Sequence, residues 1–118
     1  MLRRLYRLTS EKDVRHVYRS RFVVRTRILD IRLAKNNLKH PRFTVVVSTK
    51  ISKSAVVRNR IKRQIRATLA QYALQPGPGY DVIVITKAGI LAVKPEERQE
   101  LLTHAFTKMK LWPKESKN

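Results

Sequence analysis

Twelve residues in the middle of the chain, Ala55-Val56-Val57-Arg58-Asn59-Arg60-Ile61-Lys62-Arg63-Gln64-Ile65-Arg66, hold five cations and an asparagine yet keep the apolar periodicity of a helix. At about 100° per residue, Val57, Ile61, Ile65, Thr68, Leu69 and Tyr72 fall on one side, and Asn59, Lys62, Arg63 and Arg66 on the other. The pattern calls for a helix that packs one face and offers the opposite one outward. Arg58 and Arg60 lie on the flanks, where guanidinium stems can run along apolar surface while their heads reach a partner. A charge run is often only a solvated face. Such a face is commonly laced with acid–base pairs four residues apart, but this helix contains no acidic residue. The missing counter-charge points to an anionic partner that supplies it.

The rest of the chain repeats this bias. In 118 residues, 27 Lys and Arg oppose 8 Asp and Glu, a net charge of +19, which exceeds what solubility requires and makes nucleic acid the first candidate partner. Residues 31–80 carry eleven cations and no acid, so they hold the expected binding surface; residues 81–118, with seven cations and five acids, read as scaffold. No run approaches 18 apolar residues, and the basic helix lacks the Trp/Phe/Leu-rich face of an interfacial anchor, so no membrane partner is expected. The opening Met1-Leu2-Arg3-Arg4-Leu5-Tyr6-Arg7 is positive but leads into no apolar signal region, which predicts a cytoplasmic protein. The absence of cysteine excludes disulfides and thiolate metal sites. A hydrophobic content of 42% suits one domain over residues 1–118 with one modest core, residues 114–118 forming a frayed tail.

Ser10 and Asp13 have capping-box spacing and predict a helix from about Ser10 to Arg19, with Val14, Val17 and Tyr18 sharing a side. A tyrosine among cations can be core or can stack a nucleobase, and sequence alone leaves both open. Leu29, Ile31 and Leu33 alternate with Asp30, Arg32 and Ala34 as in a strand with one wet face, and there is room for a further short strand near Phe22. A strand from Arg42 to Ser48 follows closely enough to predict an antiparallel hairpin with it. Ser54 is the expected N-cap of the basic helix, which should end near Ala73 before Pro76-Gly77-Pro78-Gly79. Val82-Ile83-Val84-Ile85 is apolar on successive residues, as in an interior strand, and the strand–helix–strand order predicts parallel pairing across a crossover. Pro95 to Met109 closes the fold as a helix, with Glu96 and Glu97 at its positive end and Leu101, Leu102, Ala105, Phe106 and Met109 as its core stripe. The fold class is α+β, a small mixed sheet with helices.

No catalytic constellation can be assembled from these residues. His16, His40 and His104 are far apart, and Glu96, Glu97 and Glu100 sit at a helix start where structural roles account for them. Gly77, Gly79 and Gly89 form no phosphate loop. Zinc-finger spacing, heptads and a helix-turn-helix partner are all missing, so DNA is not the expected ligand, and a basic helix beside a sheet with aromatics favours RNA. The expectation is a binder.

The block Arg58-Asn59-Arg60-Ile61-Lys62-Arg63, led by Ala55-Val56-Val57 and followed by Gln64-Ile65-Arg66, resembles the signature of the bacterial ribonuclease P protein component. Arg7-Leu8 before a capped helix, Val45-Val46-Val47-Ser48 with Lys50 after it, and Gly79-Tyr80-Asp81-Val82-Ile83-Val84 extend the resemblance over roughly residues 5–110. It implies an α-β-β-β-α-β-α fold with three helices, a four-stranded mixed sheet and a left-handed crossover through the basic helix, against the usual right-handed rule. It also implies an endoribonuclease subunit in the cytoplasm that assists removal of the 5′ leader from precursor tRNA, with catalysis and Mg²⁺ belonging to the RNA subunit. By the same resemblance, Arg58, Asn59, Arg60, Lys62, Arg63 and Arg66, with Lys50 and Lys53 before them, would face ribonuclease P RNA. Val14, Arg15 and Tyr18 would line a leader cleft between the first helix and the sheet. Members often carry two aromatics at the positions of Val14 and Tyr18, and here only Tyr18 is aromatic. A structural RNA-binding protein of ribosomal type would explain the composition equally well but gives no reason to prefer leader-bearing tRNA. A protein-only nuclease would need Mg²⁺-binding carboxylates that the sequence does not display.

Overall fold

The computed structural model describes residues 4–73 and 79–108. A 3₁₀ turn at Arg4–Tyr6 leads into α1 (Glu11–Arg19), β1 (Phe22–Arg25), β2 (Leu29–Lys35), β3 (Arg42–Val46), α2 (Ala55–Ala73) and β4 (Tyr80–Thr86). A second 3₁₀ turn at Ala88–Ala92 then precedes α3 (Pro95–Lys108). The order is the expected α-β-β-β-α-β-α, with the short strand near Phe22 present as β1. The expected breaker at Pro76-Gly77-Pro78, Met109 of the last stripe and the tail at 114–118 lie outside the described residues, as does the side chain of Tyr72.

The four strands lie in the order β1-β2-β4-β3, with β1–β2 and β2–β4 antiparallel and β3–β4 parallel. The parallel pairing across α2 is as expected, but the antiparallel hairpin between the second and third strands is not formed. β4 takes the place between them because Val82, Ile83 and Val84 are each fully buried, and only an interior strand covered on both faces can bury three successive side chains. The connection from β2 to β3 therefore bridges the start of β4 instead of turning tightly. Asn36 shapes that bridge: its backbone N–H donates to the Gly79 carbonyl (3.2 Å), and its side-chain oxygen accepts from the Leu38 N–H (2.8 Å). Asn37 adopts a left-handed conformation (φ 61°), which asparagine tolerates well. Gly79 lies directly under this bridge, where a Cβ would run into the Leu38 carbonyl and the Asn36 side chain.

Each face of the sheet carries its own cluster. On one face, Ile31, Leu33, Phe43, Val45, Val82 and Val84 pack with Ile61, Ile65 and Leu69 of α2 and with Leu102, Ala105 and Phe106 of α3. On the other, Ala34 and Ile83, with Val46 and Ile85 partly buried, pack against Leu8 and against Val17 and Val14 of α1. The face of β2 expected to be wet is thus roofed by α1, and Ala34 is buried. Val17, wholly buried, brings α1 down onto that face, and burial of a side chain of this size is worth about 1.5–3 kcal/mol. Ser10 starts α1 as predicted, its hydroxyl accepting from the Asp13 N–H.

Candidate nucleic-acid interface

α2 begins at the expected cap, with the Ser54 Oγ accepting from the Val57 N–H (3.3 Å) and the Ser54 carbonyl accepting from the Arg58 N–H (3.1 Å). Ile61, Ile65, Thr68 and Leu69 are buried, as the periodicity requires, and Asn59, Arg60 and Arg63 are exposed. Lys62 and Arg66 are half-buried, their stems lying along the protein. The loop before the helix is pinned by buried Ile51, whose N–H donates to the Ser48 carbonyl, and this leaves Lys50 and Lys53 exposed beside the helix start.

Arg58 differs from its neighbours. It is half-buried, and its Nη1 donates to the Ser52 carbonyl (2.8 Å), so it clips the loop to the first turn of α2 and sets Lys50 and Lys53 against the cationic face. The described ion pairs lie elsewhere: Glu11–Arg15 (3.8 Å), Asp13–Arg42 (3.2 Å), Asp81–Arg42 (2.7 Å), Asp30–Lys87 (2.8 Å) and Glu97–Arg27 (2.6 Å). Among the described residues, no carboxylate pairs with Lys50, Lys53, Arg58, Arg60, Lys62, Arg63 or Arg66. A row of guanidinium and ammonium groups without counter-ions is a surface suited to a phosphate backbone.

The second group of expected residues sits on the opposite face of the sheet. Tyr18 is 45% exposed, although its neighbour Val17 is fully buried. The Arg32 guanidinium lies over the Tyr18 ring, 5.6 Å from its centroid, and Arg32 Nη1 donates to the Tyr18 carbonyl (3.3 Å). This cation–π stack joins α1 to β2 and leaves a flat, charged platform open to solvent. Arg15 is exposed beside it and pairs loosely with Glu11. Val14 is half-buried and packs against the cluster of Leu8, Val17, Ala34 and Ile83, so among Val14, Arg15 and Tyr18 it is the least open to solvent. Arg32 was not among the expected site residues. Its period-two relation to Ala34 was readable, but its meeting with Tyr18 depends on α1 lying across that face of β2.

Arg42 fixes α1 to the sheet from the other end. Its Nε and Nη2 grip both oxygens of Asp81 (2.8 and 2.7 Å), and Nη2 also reaches Asp13 of α1. Hydrogen bonding to Asp81 holds the Arg42 guanidinium above its ordinary pKa, outweighing the effect of burial. Three histidine, cysteine or acidic residues do not come together anywhere in the described residues in a way that could hold a metal. Asp13, Asp30, Asp81 and Glu97 are already engaged by cations, so these carboxylates do not fit a Mg²⁺ site.

Residues 2–110 match the Ribonuclease P family model. The chain belongs to the ribonuclease P protein family. It is similar to the ribonuclease P protein component of Lactobacillus delbrueckii subsp. bulgaricus, 35% identical over 106 residues that cover 89% of this chain and 88% of that one. With the counterpart from Synechocystis it shares 49% identity over 53 residues, 45% of this chain and 43% of that protein, so this second alignment spans less than half of the relative's length. Its fold matches the solved RNase P protein from Staphylococcus aureus with a TM-score of 0.82 at 27% identity, covering 91% of this chain and 97% of that one. Members of the family are protein components of ribonuclease P, whose role is tRNA 5′ processing. No helix among the described residues is long and apolar enough to cross a membrane.

Proposed function

We propose that α2 and the loop before it bind the phosphate backbone of ribonuclease P RNA, while the Tyr18–Arg32 surface beside α1 receives the single-stranded 5′ leader of precursor tRNA. The observation that carries this reading is the cationic face of α2, which lies opposite the buried stripe of Ile61, Ile65 and Leu69 and has no acidic partner among the described residues. Arg60 and Arg63 meet phosphates directly, Lys62 and Arg66 reach over the helix flank, and Arg58 holds the loop that presents Lys50 and Lys53. On the other face, the Tyr18 ring and the Arg32 guanidinium offer a leader base a stacking surface and a nearby charge. The protein acts in the cytoplasm by positioning substrate. On this reading, hydrolysis of the phosphodiester that joins leader to tRNA is the work of the RNA subunit and the Mg²⁺ it holds, and the lack of a metal-ligand cluster among the described residues is in keeping with it.

The test is cleavage of precursor tRNA at low Mg²⁺ with protein alone, a bacterial ribonuclease P RNA alone, and the two together. Cleavage at the mature 5′ end only in the mixture is expected. Cleavage by RNA-free protein, or no enhancement of a competent RNA, would overturn the reading, the second outcome leaving a general structural RNA binder. Affinity for single-stranded RNA should fall with salt at a log–log slope of about −0.7 per neutralised phosphate, and a total slope near −1 would contradict a multi-phosphate face.

A further inference from the structure

We propose that Arg98 of α3 and Arg60 of α2 form a clamp for a single backbone phosphate of the RNA subunit, carrying the RNA-binding surface from α2 across to α3. The inference rests on the reading of α2 given above and adds a residue from the part of the chain whose composition looks like scaffold.

Arg98 lies among acids in the sequence, with Glu96, Glu97 and Glu100 as neighbours. In the structure it pairs with none of them. Its Nε donates to the Ile90 carbonyl (3.1 Å) and its Nη1 to the Gln64 Oε1 (2.5 Å), both neutral acceptors, while Glu97 is engaged by Arg27. Gln64 stands one helical turn after Arg60 on α2, so the grip on Gln64 brings Arg98 to the part of α2 that carries Arg60. Burial lowers the Arg98 pKa, and the nearby charge of Arg60 lowers it further. Arg60 is exposed and forms no ion pair among the described residues.

Two cations thus border one helix–helix seam, and among the described residues no carboxylate forms an ion pair with either. Each of Arg98's two hydrogen bonds fixes its orientation without neutralising it, and the remaining N–H groups of its planar fork stay available. A phosphate between the two guanidiniums accepts charge-assisted hydrogen bonds from both and removes their mutual repulsion. Because Arg60 belongs to the α2 face, the clamp continues that surface, so the phosphate it takes is one of the same RNA backbone.

The experiment is a salt series of equilibrium binding to ribonuclease P RNA for the full chain, Arg98→Gln, Arg60→Gln and the double variant, each paired with a thermal melt of the free protein. Arg98→Gln should lower affinity by about tenfold at low salt and reduce the magnitude of the log–log slope by about 0.7–0.9, one phosphate's worth. The double variant should lose no more slope than either single one, because both side chains serve one phosphate. Additive slope losses would mean two separate phosphates and overturn the clamp. A lowered melting temperature with unchanged affinity and slope in Arg98→Gln would make Arg98 a strut between α2 and α3, again overturning it. Inorganic phosphate at constant ionic strength and millimolar concentration should weaken RNA binding by the wild type more than by Arg98→Gln, because it competes for the clamp; equal weakening of both would overturn it. If the wild type itself shows a slope near −1, the reading of α2 fails first. If wild type and Arg60→Gln behave as that reading requires while Arg98→Gln matches wild type, only the clamp falls.

Discussion

Replacing Asp81 by Asn should destabilise the free protein by about 2–3 kcal/mol, although it changes the shape of one side chain very little. Asp81 lies on interior strand β4 with 2% of its surface exposed. Its Oδ1 accepts from Arg42 Nε (2.8 Å) and Asn36 Nδ2 (2.9 Å), and its Oδ2 accepts from Arg42 Nη2 (2.7 Å). Through Arg42 the same group is coupled to Asp13, so β4, β3, the β2–β3 bridge and α1 all meet at this carboxylate. An asparagine removes the charge and turns an amide donor toward a guanidinium that has only donors. Removing one partner of a buried pair typically costs about 3–5 kcal/mol. Arg42 keeps 21% of its side chain in solvent and retains Asp13, which brings the expectation to the lower figure. For a domain of this size the loss corresponds to a fall in Tm of about 8–20 °C. Urea unfolding at neutral pH followed by far-UV circular dichroism measures it, with an unchanged m-value indicating that the native state alone is affected. Because hydrogen bonding to Asp81 raises the Arg42 pKa, the cation's contribution is complete below arginine's ordinary value and is lost only as pH climbs through the raised one. The double variant Arg42→Met, Asp81→Leu should recover much of the loss, since it leaves no charge stranded. A cost for Asp81→Asn below about 1 kcal/mol, or a double variant that loses the sum of the two single changes, would refute the reasoning.

Gly79→Ala should cost about 1–3 kcal/mol, because its Cβ has to displace the Leu38 backbone above it; an unchanged thermal midpoint would contradict this. Tyr18→Ala should narrow the affinity gap between precursor and mature tRNA by about tenfold in the assembled enzyme, and an unaltered gap would remove Tyr18 from the leader site. Arg60→Ala should weaken assembly with the RNA subunit while changing the stability of the free protein by no more than about 0.5 kcal/mol, since the side chain is exposed. A loss comparable to deletion of a buried leucine would make Arg60 structural.

The basic helix was legible in outline because a 3.6-residue stripe and a capping serine are local signals: Ile61, Ile65 and Leu69 are buried and Ser54 caps, as read. β4 was legible for a similar reason, since a run apolar on successive residues has few homes other than a sheet interior. What that run also implied, that β4 would displace the expected hairpin, required weighing it against the short separation of β2 and β3. The separation suggested pairing, and burial on both faces prevailed. Arg58 reads on a helical wheel as a flank residue free to reach a partner, but its hydrogen bond to Ser52 depends on the path of a loop that periodicity does not describe. Arg32 over Tyr18 and Arg98 beside Arg60 are contacts between elements distant in sequence, and neither leaves a local trace.

Two sets of cations in this chain do different work. Arg27, Arg42 and Lys87 meet carboxylates where elements join: β1–β2 turn to α3, β3 to β4 and α1, and β2 to the segment after β4. They hold the scaffold. Those on α2 and its leading loop have no such partners among the described residues, so in the free protein they repel one another. An apolar stripe anchored in the α2–α3 core offsets that repulsion, which explains why a helix without a single acid can still fold. Separating the sets also couples the two faces mechanically. β4 sends Ile83 toward α1 and Val84 toward the opposite core, so in the proposed function RNA on α2 and a leader beside α1 would be referred to one rigid strand. The distance between the two proposed contacts would then be fixed by packing and not by the RNA, as the proposed positioning of a substrate for another molecule's chemistry requires.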